Sequence, residues 1–259
     1  MYRQIQGELV HTVAFGNGDR TVVGISGSFG TWEIWQQPFE VLSGDYRTIA
    51  FDHYGAGETH VPSDLVTFEK QVELTHDLLD TFGVERTVLA GDSSNTAVAV
   101  EVARRWPDRV SALVLVSGGV DYAPSDVVRQ FASSLRTDFD ATMDFFVPLC
   151  LPEDTTGHLR RWLRDIISRT GGERAALLVE SFYEVNVRDA LANVSAPTLI
   201  IHGALDALPT SPIEAAKEMA LRIPDARLVV LDDAGHVPTL SRPVEVAKAI
   251  AAFIDDAAS

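Results

Sequence analysis

The chain is 259 residues long, 46% hydrophobic and 22% charged, enough apolar material to bury one large core in a single domain of ordinary size. Its 37 acidic residues exceed its 21 basic ones, for a net charge of −16; this argues against nucleic acid and anionic membrane as partners, because both are bound through basic surface. The single cysteine, Cys150, has no partner for an internal disulfide and fits a reducing compartment, with a packed structural thiol as its expected state.

The opening residues, Met1 to Glu8, lack a charged region followed by an apolar stretch and do not read as a signal peptide. No run approaches the roughly 18 apolar residues of a membrane span, so a cytoplasmic location is expected. Strand-like runs follow at 21–25, 47–51, 87–90, 110–116, 198–202 and 227–231. They alternate with helical stretches, which is the signature of a mostly parallel sheet covered on both faces. Residues 67–82 place Phe68, Val72, Leu78, Leu79 and Phe82 at helical spacing and stop at Gly83. A helix after Ser93 runs through Ala97, Val98, Val102 and Ala103 to Trp106-Pro107, its small residues suited to close approach to the sheet. Between Gly119 and Asn193 the alternation fails, and the segment reads as several helices carrying Phe131, Phe139, Phe145, Phe146, Trp162, Phe182 and Tyr183. The last helix begins at Pro243 and turns Val246, Ile250, Phe253 and Ile254 to one face.

The chemistry concentrates at strand ends. Gly91-Asp92-Ser93-Ser94-Asn95 directly follows the apolar run Thr87-Val88-Leu89-Ala90, which predicts a strand ending in a tight turn with a serine at its apex. A serine hydroxyl becomes a nucleophile when it is held clear of the backbone, beside a base and facing amide donors. The pattern G-x-S-x-G achieves this with small flanking residues; here Asn95 replaces the last glycine, and asparagine tolerates unusual backbone conformations. The spacing from Gly91 favours Ser93 over its neighbour Ser94 as the nucleophile. In this architecture an acid and then a histidine follow the serine in the chain. His202-Gly203-Ala204-Leu205-Asp206 places a carboxylate just past one predicted strand, and Asp232-Asp233-Ala234-Gly235-His236 places an imidazole just past the next. Three strand ends thus deliver Ser93, Asp206 and His236 to the carboxyl edge of the sheet, where sites assemble. Among rivals, His202 is expected to pack and His53 to line the site, while Asp232 and Asp233 suit solvated turn positions. Asp92 has two open readings, a specificity element or surface polarity.

At this point the chain resembles the α/β-hydrolase superfamily over nearly its whole length. Gly24-Ile25-Ser26-Gly27-Ser28-Phe29-Gly30, with Trp35 beyond it, looks like the family's oxyanion loop, although Ser26 stands where the family usually has histidine. Phe51-Asp52-His53-Tyr54-Gly55-Ala56-Gly57 looks like its D-x-x-G-x-G turn, and Gly235-His236-Val237-Pro238 like its catalytic-histidine segment. The resemblance implies a mostly parallel, eight-stranded-type sheet with helices on both faces. It also implies a core of residues 1–119 and 194–259 with a helical cap, 120–193, inserted after the sixth strand. Mapped by position, the oxyanion donors are the amides of Ser28 and Ser94. The cap would shape a pocket in which Phe29, Phe131, Phe145, Phe146 and Trp162 are candidate substrate contacts. Within the superfamily the chain looks most like small capped esterases and lactonases, including the stress-regulator and strigolactone-receptor-like branch.

The resemblance implies acyl transfer on a small-molecule ester or lactone. A carbon–carbon bond hydrolase with the same triad and a slow-turnover ligand-binding or signalling hydrolase are the other classes. The seven histidines are scattered without ligand spacing, so neither a metal nor a cofactor is expected. A monomer or homodimer is expected. Eight of the eighteen arginines fall in the cap segment, with His158, Arg160, Arg161 and Arg164 close together. They could anchor an acidic substrate arm or form a solvated helix face; the second reading, on a strongly acidic chain, predicts a neutral, moderately apolar substrate.

Overall fold

The computed structural model describes residues 1–257. In chain order the elements are β1 (Tyr2–Ile5), β2 (Glu8–Phe15), β3 (Thr21–Ile25), α1 (Gln36–Leu42), β4 (Arg47–Phe51), α2 (Phe68–Thr81), β5 (Thr87–Asp92), α3 (Asn95–Arg105) and β6 (Val110–Val116). Then come α4 (Asp126–Thr137), α5 (Phe139–Cys150), α6 (His158–Ser168), α7 (Gly172–Glu180), β7 (Thr198–Gly203), α8 (Ile213–Arg222), β8 (Ala226–Leu231), α9 (Pro238–Ser241) and α10 (Pro243–Ala257). The strands form one eight-stranded sheet in the order β1-β2-β4-β3-β5-β6-β7-β8, parallel from β4 to β8.

The six expected strands are all present, and the structure adds β1 and β2, an antiparallel hairpin at one edge. Its turn is Gln6-Gly7, both with positive φ (54° and 91°), the backbone of a two-residue hairpin that suits the twist of the flanking strands. The hairpin escapes a search for apolar runs because β1 is exposed at three of four positions and β2 is half wet.

The central strands β3, β5 and β7 are buried at every residue, so they read as continuous apolar runs. Strand periodicity still sorts their side chains to two faces. Val23, Ile49, Leu89 and Leu113 face α2 and α3, in the cluster with Leu74, Leu78 and Val98. Val22, Ala50, Val88 and Val114 face α1 and α10, in the cluster with Trp35, Phe39, Ile250 and Phe253. Helices α4 to α7 lie between β6 and β7 in the chain and build a third cluster, with Leu135, Met143, Leu163, Ile166 and Leu178 packed against Phe29 and Ile34. The two ends of this insert are paired: Asp121 bridges Asn186, Tyr122 N donates to Val185 O, and Val187 N donates to Val120 O. No helix of the described residues is long and apolar enough to cross a membrane.

Candidate active site

Ser93 sits between β5 and α3 with φ of 53°, a left-handed conformation that costs an L residue about 1–3 kcal/mol and persists only where its surroundings enforce it. They do so by proximity. A Cβ on Gly91 would lie 2.6 Å from Asn95 O, and one on Gly27 would lie 2.8 Å from Ser93 Cβ, so glycine at both positions lets the turn close against α3 and the β3–α1 loop. Asn95 needs no glycine freedom, because it is the first residue of α3 and its φ is not positive. Its Nδ2 donates to Ser26 O at 2.6 Å, and Ser26 Oγ in turn donates to Thr31 O at 2.6 Å. The two departures from the family pattern therefore form one connected brace of the loop.

The turn holds Ser93 Oγ 2.9 Å from His236 Nε2, and His236 Nδ1 lies 2.7 Å from Asp206 Oδ2. The loop after β8 carries His236, whose amide donates to Cys150 O at the end of α5 (2.9 Å), while Gly235 N donates to Glu153 Oε1 (2.9 Å). Asp206, in the loop after β7, has its side chain shielded from solvent and also accepts from Leu208 N at 3.0 Å and Ser211 Oγ at 3.1 Å. Burial would push this carboxyl up, but the facing imidazole and these donors hold it below the usual range. His236 is raised instead: burial opposes the charged ring, yet the Asp206 carboxylate outweighs it. An imidazole braced in this way takes the serine proton well and tolerates the charge that follows.

The Ser28 and Ser94 amides donate no hydrogen bond among the described residues. Their side chains meet, Oγ to Oγ at 2.6 Å, which fixes the β3–α1 loop beside the turn that carries Ser93. Above them opens a cavity of about 330 Å³ lined by Phe29, Phe131, Phe145, Phe146, Leu149, Leu163 and Leu208, with Ser93 and His236 in its wall. Trp162 is a correction to the expected lining: it lies outside the cavity, packed against the insert's own core. On α6, Leu163 lines the cavity, and on a helix the adjacent position points about 100° away.

The rival residues fall elsewhere. His202 is fully buried, with no hydrogen bond to either ring nitrogen among the described residues and 3.8 Å from Asp206 Oδ2; burial lowers it, so it packs neutral. His53 contacts Gly27 O at 3.3 Å from beneath the loop and does not line the cavity. Asp233 is on the surface, paired with Arg242. Asp92 is not surface polarity: it is buried and lines the cavity. Sequence reasoning missed Ser211, whose Oγ is 3.1 Å from both Asp206 Oδ2 and His236 Nδ1; no motif marks it, because a loop decides which hydroxyl reaches the pair. The cluster of metal-capable side chains on α2, His76, Asp77 and Asp80, is engaged by Arg109, which contacts His76 Nε2 and pairs with Asp80.

Comparison with known proteins agrees in one direction. Residues 22–249 match the model of the alpha/beta hydrolase family. The chain is 26% identical to a pimeloyl-[acyl-carrier protein] methyl ester esterase of Vibrio parahaemolyticus, over 95% of this chain and 98% of that one. It is 25% identical to the karrikin insensitive 2 receptor CA of Petunia hybrida, over 91% and 92% respectively. Among solved structures, the enol-lactonase of Burkholderia xenovorans LB400 superposes with a TM-score of 0.90 at 23% identity, covering 98% of this chain and all of that one; that likeness is one of fold.

Proposed function

Because the chain belongs to the alpha/beta hydrolase family, we propose that it is a serine hydrolase cleaving esters or lactones of small, neutral, moderately apolar substrates through an acyl-enzyme. The observation that carries the reading is the unbroken line Ser93–His236–Asp206, at 2.9 and 2.7 Å, facing two unbonded amides in the wall of an apolar cavity. The esterase name of its relatives in sequence supports it.

In this mechanism His236 Nε2 takes the Ser93 proton as Oγ attacks the carbonyl carbon, and the Ser28 and Ser94 amides receive the oxyanion. The imidazolium then protonates the leaving alcohol, or the ring oxygen of a lactone, which stays tethered as the acyl chain's own hydroxyl. Asp206 keeps Nδ1 protonated and stabilises the cation. Water activated by His236 repeats the sequence on the acyl-enzyme and frees Ser93. Residues 120–193, which carry helices α4 to α7, act as a cap that limits bulk water at the acyl-enzyme.

The preference for neutral substrates rests on where the arginines are. Among the described residues, no arginine or lysine lines the cavity. Arg160 donates to the carbonyls of Leu151 and Pro152, Arg164 pairs with Asp140 and Asp144, and Arg169 pairs with Glu33. These groups brace the insert, and its aromatic wall suits an apolar acyl or alkyl arm.

A fluorophosphonate probe tests the reading: it is expected to label Ser93, and Ser93→Ala is expected to lose about 10⁶ in kcat on a neutral aryl ester. Labelling at Ser94, or a folded Ser93→Ala protein that still turns over, would overturn it. The likeness to a plant receptor supports a second reading, a slow-turnover binding protein. One acyl-enzyme formed per chain without further turnover on any ester, lactone or diketone would select that second reading.

A further inference from the structure

Two carboxyl groups flank the same imidazole, and they are treated in opposite ways. Asp206 accepts from the His236 ring, the Ser211 hydroxyl and the Leu208 amide. Asp92, the residue before the nucleophile, is only 3% exposed and has one donor, Gly27 N, at 3.3 Å from Oδ2. Its Oδ1 is buried with no partner among the described residues. An ionised carboxylate has about four acceptor sites to satisfy and is costly to bury without donors, whereas the neutral acid asks for less. The contact is also placed where the β3–α1 loop packs closely against the turn that carries Ser93. A Cβ on Gly27 would fall 3.0 Å from Asp92 Oδ2 as well as 2.8 Å from Ser93 Cβ. Gly27 is followed directly by Ser28, whose amide is one of the two assigned to the oxyanion.

We propose that Asp92 is a positioning residue of this site, which as the neutral acid holds Gly27, and through it the Ser28 amide, against the nucleophile turn. The inference rests on the acyl-transfer reading above. Burial pushes the Asp92 carboxyl up to about 7; His236 and the Gly27 amide work against that rise and Asp206 adds to it. The groups that face it are His236 from the loop after β8, Asp206 from the loop after β7, Tyr122 from the segment after β6 and Cys150 from the end of α5. His53, from the turn after β4, shares the Gly27 peptide. Burial keeps Tyr122 and Cys150 protonated and His53 neutral, so the charge of the cluster is set by Asp92, His236 and Asp206. When Asp92 ionises, a second negative charge stands beside the imidazole. That charge raises His236 further and opposes the oxyanion that the Ser28 amide is placed to receive.

Two variants separate the elements of the proposal. Asp92→Asn keeps an acceptor for Gly27 N and cannot ionise, and Asp92→Ala removes the tie. On a neutral aryl ester, Asp92→Asn is expected to keep kcat within about threefold of wild type, to move the acid limb of kcat/KM to lower pH and to abolish the decline that accompanies Asp92 ionisation. Asp92→Ala is expected to lose about tenfold or more in kcat with KM little changed. An alanine variant as fast as wild type overturns the positioning role, and an asparagine variant as slow as alanine overturns the neutral form. A second measurement needs no substrate. The folded protein holds the Asp92 proton up to about pH 7 and the unfolded chain only to about 4, so the penalty for burying Asp92 is absent at pH 4 and complete above 7. Asp92→Asn is therefore expected to raise Tm by about 3 °C or more at pH 8 and not at pH 4. Equal shifts at both pH values overturn the neutral acid whatever the protein hydrolyses. Failure of a fluorophosphonate to label wild-type Ser93 overturns the acyl-transfer reading and the positioning role with it, and leaves the Tm comparison to decide the protonation state.

Discussion

Asp206→Asn keeps the size of the side chain but removes the carboxylate that holds the His236 ring in its working tautomer, so kcat is expected to fall by about 10⁴. Asp233→Asn, which touches only the exposed Arg242 pair, is expected to leave kcat and Tm within error, because exposed ion pairs contribute about 0–1 kcal/mol. Steady-state kinetics on both variants checks the contrast, and a large loss at Asp233 with Asp206→Asn tolerated would reverse the assignment of the acid. Asn95 behaves against its family. Asn95→Gly restores the residue the G-x-S-x-G pattern prefers, yet it deletes the donor to Ser26 O and places glycine in the first turn of α3. The expected result is a loss of about 2 kcal/mol in denaturant unfolding, from a buried carbonyl left alone and the glycine's extra chain entropy.

Among the elements, α4 and α5 hold the cavity wall unevenly. Phe146 sits in a ring cluster, 5.5 Å from Phe29 and 5.1 Å from Phe131 between centroids, so it joins the β3–α1 loop to the insert. Phe145, its chain neighbour, also lines the cavity but is 71% exposed. Phe145→Ala is therefore expected to raise KM for esters with a long apolar arm while leaving stability within about 0.5 kcal/mol. Phe146→Ala is expected to cost about 2–3 kcal/mol in stability as well. Thermal unfolding and KM on a short and a long ester separate the two effects; equal stability losses would show that Phe145 packs in solution. The insert is tied to the sheet side by more than apolar contact. Thr170 Oγ1 accepts from Gly57 N and donates to Phe29 O, and Cys150 O accepts the amide of His236 itself. Displacement of α5 would therefore disturb the loop that carries His236 directly.

Over the whole molecule the dominant electrostatic fact is the net charge of −16. Its field repels anions at a distance, and among the described residues no lysine or arginine lines the cavity to recapture them. For a matched pair of esters, one neutral and one bearing a carboxylate, kcat/KM is expected to be higher for the neutral one at low salt. Raising ionic strength from about 10 to 150 mM shortens the screening length from roughly 30 to 8 Å, so the gap is expected to narrow through a rise for the anion alone. An anionic ester that is faster, and loses its advantage in Arg160→Ala or Arg164→Ala, would show those arginines reaching the substrate.

The parallel sheet, several of its helices and the three strand ends that carry Ser93, Asp206 and His236 are legible in the order of the amino acids. Buried parallel strands must be apolar at consecutive positions, and the turns after them must be small or polar, so both leave a local signature. The β1–β2 hairpin left none, because an edge strand wetted on one face does not need an apolar run. Tertiary structure alone decided what Asp92, Ser211 and Trp162 do. Asp92 is one residue from the nucleophile and reads as polar, but its environment is made by the β3–α1 loop. Ser211 reaches Asp206 and His236 only because a loop without periodicity folds it there. Trp162 and Leu163 are adjacent and both apolar, and the rotation of α6 against its neighbours put Leu163 in the cavity wall and Trp162 outside it. Local composition records whether a side chain is to be buried; which partner it meets depends on segments far away in the chain, and no single stretch encodes that.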